Sequence, residues 1–170
     1  MDRHIFLIGM MGCGKSTLGA LLARRLGCAF ADLDDDVVRF EGLSIPAIFA
    51  RRGDAGFRES ETAALRRACA LSPRVVATGG GIVTREEYIA LMRANGLVIW
   101  LNRPLEDMIA DVRQDTRPNL AGDKAARMRA LFAAREALYR RAAHMEFDNR
   151  LPPKQSAEGL LKRLCTEEGR

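Results

Sequence analysis

The sequence predicts an α/β domain, a parallel sheet sandwiched between helices in three layers. Two observations point to it. Short apolar runs alternate with amphipathic stretches from end to end, the β-α pattern of a sheet covered on both faces. The first apolar run is followed at once by a glycine-rich turn and then a helical stretch, a junction typical of such sheets.

The elements follow in order. Ile5 to Ile8 reads as the first strand and Lys15 to about Leu26 as the first helix. Phe30 to Leu33 is the second strand, with helical segments after it. Ser44 opens a helix before Pro46, since serine caps free N–H groups and proline suits a first helical turn. Val75 to Ala77 is the third strand. Thr84 with Glu87 three positions on has capping-box spacing and predicts a helix ending near Gly96. Leu97 to Leu101 and Met145 to Phe147 complete the strands. Between Asp111 and Lys124 the periodicity fails in a polar stretch holding Pro118 and Gly122, which reads as a long loop of the kind that forms functional lids.

Composition bounds the function. The 170 residues carry 27 Lys and Arg against 22 Asp and Glu, a formal charge of +5, and 48% are hydrophobic. One domain of this size buries roughly 70% of its unfolded surface, enough core to fold without disulfides or a structural metal. No repeat, linker or low-complexity stretch divides residues 1–170. No apolar run reaches the roughly 18 residues of a membrane span, and the first residues do not resemble a secretory signal. Cys13, Cys28, Cys69 and Cys165 lack metal-ligand or redox spacing, so reduced thiols in a cytoplasm are expected. The mild basic excess does not by itself imply nucleic acid.

The chemistry is concentrated in Gly9-Met10-Met11-Gly12-Cys13-Gly14-Lys15-Ser16-Thr17. It fits G-x-x-x-x-G-K-[ST] between strand and helix, a phosphate-binding loop. Glycines let backbone N–H groups turn inward, and the helix N-terminus favours an anion. Lys15 reaches the β and γ phosphates, and Ser16 ligates Mg²⁺. Residues Gly12 to Thr17 are thereby assigned to ATP. Cys13 lies in the loop beside Lys15, just before a helix N-terminus, so nucleotide is expected to shield it from alkylation. Mg²⁺ needs a further acidic anchor, and the third strand ends without one. Asp32 at the end of the second strand is the candidate, through a coordinated water. Asp35 and Asp36 read as ordinary first-turn acids, whereas Asp34 lies at the carboxyl end of the sheet, where ligands bind.

Of three further clusters, the first two admit two readings each. Arg58 and Glu61 make an i, i+3 ion pair, or a pair that presents a guanidinium to a substrate carboxylate. Gly79, Gly80 and Gly81 form a flexible turn, or let backbone approach a ligand. Arg135 and Tyr139 would pass as neighbours on an arginine-rich helix.

Taken together, Gly9 to Thr17, Asp32-x-Asp34, Ser44 to Phe49, Gly56-Phe57-Arg58-x-x-Glu61, Thr78 to Gly81, Arg117-Pro118 and Arg135-x-x-x-Tyr139-x-x-Ala142 closely resemble the shikimate kinases over almost the whole chain. The resemblance implies a P-loop kinase fold with a five-stranded parallel sheet of order 2-3-1-4-5. It also implies a helical substrate-binding region near residues 34–62 and a mobile lid near residues 111–124. The implied reaction is ATP plus shikimate giving shikimate 3-phosphate and ADP, a step toward aromatic amino acids. Lys15, Asp34 and Arg117 would be catalytic. Arg58, Arg135 and Gly79 to Gly81 would join Asp34 in holding shikimate, and Arg117 and Gln155 would join the loop in holding ATP. The resemblance also implies partners limited to these two small molecules, without nucleic acid or membrane, and a monomer. Asp111 stands where many relatives carry an arginine that packs on adenine, with Arg113 nearby. Val38, Asn119 and Ala137 are further departures. Two alternatives are a gluconate-type kinase and a nucleotide-gated module that grips nucleic acid, the latter lacking any recognition signature.

Overall fold

The computed structural model describes residues 2–111 and 123–168. Five parallel strands form one sheet of order β2-β3-β1-β4-β5: β1 (His4–Ile8), β2 (Ala29–Asp32), β3 (Arg74–Ala77), β4 (Gly96–Asn102) and β5 (Met145–Asp148). The helices are α1 (Lys15–Leu26), α2 (Leu33–Glu41), α3 (Ile45–Ala70), α4 (Glu86–Asn95), α5 (Leu105–Asp111), α6 (Lys124–Ala142) and α7 (Pro153–Glu168). The expected fold class and strand order are both found.

Every residue of β1 is buried, because helices cover both faces of the sheet and leave neither face to water. The strand's alternation divides the core in two. Ile5 and Leu7 join Leu18 and Leu22 of α1 and Leu160 of α7 on one face. Phe6 and Ile8 join Val37, Ile48, Leu65 and Ile89 on the other, together with Trp100 of β4. Burying each such side chain contributes about 1.5–3 kcal/mol, so the central strands anchor the fold.

Helix starts follow local chemistry in part. Ser44 caps α3 by accepting from the Ala47 N–H at 3.4 Å, as expected. The Thr84 capping box does not form. Thr84 instead ends a short 3-10 turn over Ile82–Thr84 and donates its hydroxyl to the Gly81 carbonyl at 2.7 Å, and α4 starts two residues later. Within α3 the helical path breaks at Gly53, whose φ of +66° is left-handed, a conformation glycine adopts without steric cost. The break lets Phe49 stack on Phe57 with centroids 4.6 Å apart, forming one wall of the site. α5 is described to Asp111 and α6 from Lys124, capped by Asp123, so the expected loop and lid fall on residues that the structure does not describe. Residues 112–122, including Arg113, Arg117 and Asn119, lie outside the described residues.

The β1–β4 pairing begins at His4 and Gly96. A Cβ on Gly96 would lie 2.2 Å from the His4 carbonyl oxygen and 2.7 Å from its carbon, so the two strand backbones must separate to admit one. Gly96→Ala is expected to destabilise the fold by about 2 kcal/mol, within the range for overpacking a close contact. Urea denaturation checks this through the midpoint at unchanged slope, and an unchanged midpoint would show that β1 yields freely there.

Candidate active site

The residues with chemistry lie just beyond the carboxyl ends of the strands, where open parallel sheets bind ligands. After β1, the loop from Gly9 to Gly14 wraps back to the N-terminus of α1. Gly9, Gly12 and Gly14 hold φ of +143°, +80° and +94°, values that side chains rarely tolerate. Lys15 is buried, and its Nζ donates to the carbonyls of Gly9 and Met10, both at 2.9 Å. The ammonium therefore sits within the turn of the loop. Cys13 is fully buried, 3.7 Å from Lys15 Nζ. The expected shielding from alkylation thus has no accessible sulfur to act on.

After β2, Asp32 uses both carboxylate oxygens. Oδ1 accepts from the Asp34 N–H at 3.0 Å and caps α2, and Oδ2 accepts from the Ser16 hydroxyl at 2.5 Å. The acidic first turn crowds its neighbours: burial raises the Asp35 pKa, and the charges of Asp32, Asp34 and Asp36 raise it further. After β3, Thr78 is buried and donates its hydroxyl to the Leu7 carbonyl at 3.0 Å, tying the next three glycines to the central strand. None of those glycines has a positive φ. Space is what requires them. A Cβ at Gly79 would lie 2.9 Å from Glu61 Oε1 and 3.1 Å from Asp34 Oδ1, and one at Gly81 would lie 3.0 Å from Arg58 Nη1.

Two cavities open along this edge. One, of about 600 Å³, is lined by the phosphate loop from Met11 to Thr17, Asp32, Asp34 and the segment 149–153. The other, of about 290 Å³, lies among Arg58, Glu61, Arg135, Gly79 to Gly81 and the rings of Phe49 and Phe57. Asp34, Met11 and Gly80 line both. Arg58 Nη1 donates to Glu61 Oε2 at 2.6 Å. Burial pushes the Glu61 carboxyl up in pKa, and the Arg58 charge opposes that shift. From α6, the Arg135 guanidinium at 3.3 Å and the Tyr139 hydroxyl at 2.5 Å both donate to the Gly80 carbonyl. The Tyr139 hydroxyl is desolvated, which raises its pKa strongly, so it remains a neutral donor.

The family model described as shikimate kinase matches residues 11–165. The chain belongs to the shikimate kinase family. A shikimate kinase of Pseudomonas entomophila is 42% identical over 166 residues, covering 95% of this chain and 96% of its own. The structure of shikimate kinase from Acinetobacter baumannii in complex with shikimate superposes with a TM-score of 0.94 at 32% identity, covering 99% of this chain and 96% of that one. A gluconokinase of Sinorhizobium meliloti, at 16% identity and a TM-score of 0.58, shares the fold alone. As a member of the shikimate kinase family, the chain is a phosphotransferase.

The residues expected to bind shikimate meet around the smaller cavity, although Arg58 and Arg135 are far apart in sequence. Gln155 does not join the larger one. It is exposed in the first turn of α7, and the chain from Asn149 to Pro153 lines the cavity instead. Arg117 lies outside the described residues. Arg103 was not singled out by any motif, and Asn149 stands only at the start of the segment to Gln155 that the resemblance implies, loosely, for adenine. Arg103 pairs with Asp111 at 2.6 Å. Both residues directly follow strands, β4 and β5, and that position is the signal by which they could have been found.

Proposed function

We propose that the two cavities serve one reaction, transfer of the γ-phosphoryl group of ATP to the 3-hydroxyl of shikimate. Asp34 carries this reading, because it is the carboxylate that lines both the phosphate-loop cavity and the arginine-lined one. It orients the attacking hydroxyl and accepts its proton as the oxygen bonds to the γ phosphorus, while ADP leaves with the electrons of the broken P–O bond. Lys15 places positive charge on the transferring group, and the loop N–H groups hold the phosphates. Arg117, carried over from the family resemblance, adds charge to the same phosphates.

A divalent cation fits the remaining residues. Ser16 and Asp32 offer a hydroxyl and a carboxylate at hydrogen-bonding distance beside the loop, an all-oxygen pair suited to Mg²⁺, which keeps several waters. No cluster of three or more metal-ligating side chains occurs among the described residues, in keeping with an ion held mainly by phosphates and water. When bound, Mg²⁺ neutralises charge across the β and γ phosphates.

Arg58 and Arg135 take the shikimate carboxylate, and the rings of Phe49 and Phe57 exclude water from one side of the cavity. Glu61 keeps the Arg58 fork directed, since the pair is largely buried. A monomer as the working unit is what the family resemblance implies. The four free cysteines and the need for ATP accord with a cytoplasmic setting. No helix among the described residues is long and apolar enough to cross a membrane.

ADP release measured with shikimate, gluconate and nucleoside monophosphates tests the assignment, with shikimate expected to support turnover. Turnover with gluconate and none with shikimate would overturn it. Arg135→Ala is expected to weaken shikimate binding by roughly ten- to a hundred-fold, the worth of one charge-assisted contact to a carboxylate, with little change for ATP. Arg58→Ala is expected to do the same and also to lower stability, since it leaves Glu61 buried without its ion-pair partner. Wild-type affinity in both variants by calorimetric titration would remove the substrate assignment and leave the phosphate-loop kinase.

A further inference from the structure

Two side chains from the ends of neighbouring strands grip the phosphate loop at consecutive carbonyls. Arg103 Nη1, just after β4, donates to the Gly12 carbonyl at 3.0 Å. Asn149 Nδ2, just after β5, donates to the Cys13 carbonyl at 2.7 Å. A trans peptide is a rigid plane in which the N–H points opposite to the C=O. Fixing these two carbonyls therefore fixes the N–H directions of Cys13 and Gly14. The Cys13 N–H reaches back to the Met10 carbonyl at 3.3 Å, and the Gly14 N–H points away from Asn149.

Both grips are themselves held. Arg103 is braced by the Asp111 carboxylate at 2.6 Å. Asn149 is 9% exposed, its backbone N–H donates to the Asn102 carbonyl at 2.7 Å, and its Oδ1 is buried with no partner among the described residues. An orphaned amide oxygen is costly. The opposite orientation of the amide would set oxygen against the Cys13 carbonyl oxygen, so the loop contact determines which way the side chain faces. The fit is also close in space: a Cβ on Gly14 would lie 2.7 Å from Asn149 Nδ2.

We propose that Arg103 and Asn149 are positioning residues that hold the phosphate loop in its anion-binding shape before nucleotide arrives. Loop amides bind phosphate best when they need no reorganisation. The two grips come from the neighbouring strand ends, so the sheet itself sets the loop. This inference rests on the reading that the loop holds the phosphates of ATP.

The test is calorimetric titration of the full chain and of Arg103→Met, Arg103→Lys and Asn149→Asp with three probes: MgADP, Mg-tripolyphosphate and shikimate. Arg103→Met and Asn149→Asp are each expected to weaken MgADP and Mg-tripolyphosphate by the same factor, about ten-fold, as a lost charged or buried hydrogen bond would. Shikimate affinity without nucleotide is expected to stay at the wild-type value. Arg103→Lys is expected to recover part of the loss, since an ammonium retains a donor for one carbonyl. Wild-type affinity for both phosphate ligands in the variants would overturn the inference. So would a loss confined to MgADP, which would mark a contact to the base, or an equal loss of shikimate, which would mark general damage. The Arg103 side chain is 24% exposed and its replacement leaves the core untouched, so Arg103→Met decides the matter even if Asn149→Asp does not fold. If the wild-type chain binds neither phosphate ligand, the nucleotide reading falls first and this inference with it.

Discussion

Lys15→Met is expected to keep the fold and to lower phosphoryl transfer by about 10³-fold, the scale on which a positioned charge acts on a developing transition state. Methionine matches the length of the lysine stem but brings no charge to the γ phosphate. The local cost falls on the Gly9 and Met10 carbonyls, which lose the ammonium that each accepts from at 2.9 Å, and on the Cys13 sulfur, 3.7 Å from it. Coupled ADP release beside thermal unfolding checks the prediction. A variant with wild-type unfolding and near wild-type turnover would refute the assignment of the loop as the nucleotide site.

Asp34→Asn is expected to lower kcat by about 10²–10⁴-fold, the range for removing a general base. Asparagine keeps the shape, and the residue's backbone is pinned because its N–H donates to Asp32 Oδ1 at 3.0 Å. The reacting hydroxyl would therefore still find its place between the two cavities while its proton acceptor is gone. If kcat is unchanged and only the KM for shikimate rises, Asp34 binds substrate without taking its proton.

Several elements were legible in advance because their causes are local. The phosphate loop is contiguous, and its glycines are required by the left-handed conformations at Gly9, Gly12 and Gly14. The Ser44 cap and the strand cores follow from neighbours within a few residues. Other readings failed where local rules compete. Thr84 has capping-box spacing, yet its hydroxyl is taken by Gly81 in the preceding 3-10 turn, a competition that short polar side chains commonly win. Gly79 to Gly81 line the smaller cavity, and their lack of side chains also admits Asp34, Glu61 and Arg58, which the sequence did not foretell. Gln155, which the resemblance implies for ATP, is exposed in the first turn of α7.

By itself the sequence determined the fold class, the phosphate loop and, through its combined motifs, the family, because periodicity and contiguous motifs act over a few residues and need no partner elsewhere. Tertiary structure alone decided which distant groups meet. Strand order brings the ends of β4 and β5 beside the loop after β1, and so places Arg103 and Asn149 on the Gly12 and Cys13 carbonyls. The packing of α6 against the glycine turn, through Tyr139 and Arg135 on the Gly80 carbonyl, sets Arg135 in the cavity that Arg58 enters from α3. Such meetings depend on the register and packing of whole elements, to which hundreds of weak contacts contribute, and no short stretch of chain encodes them.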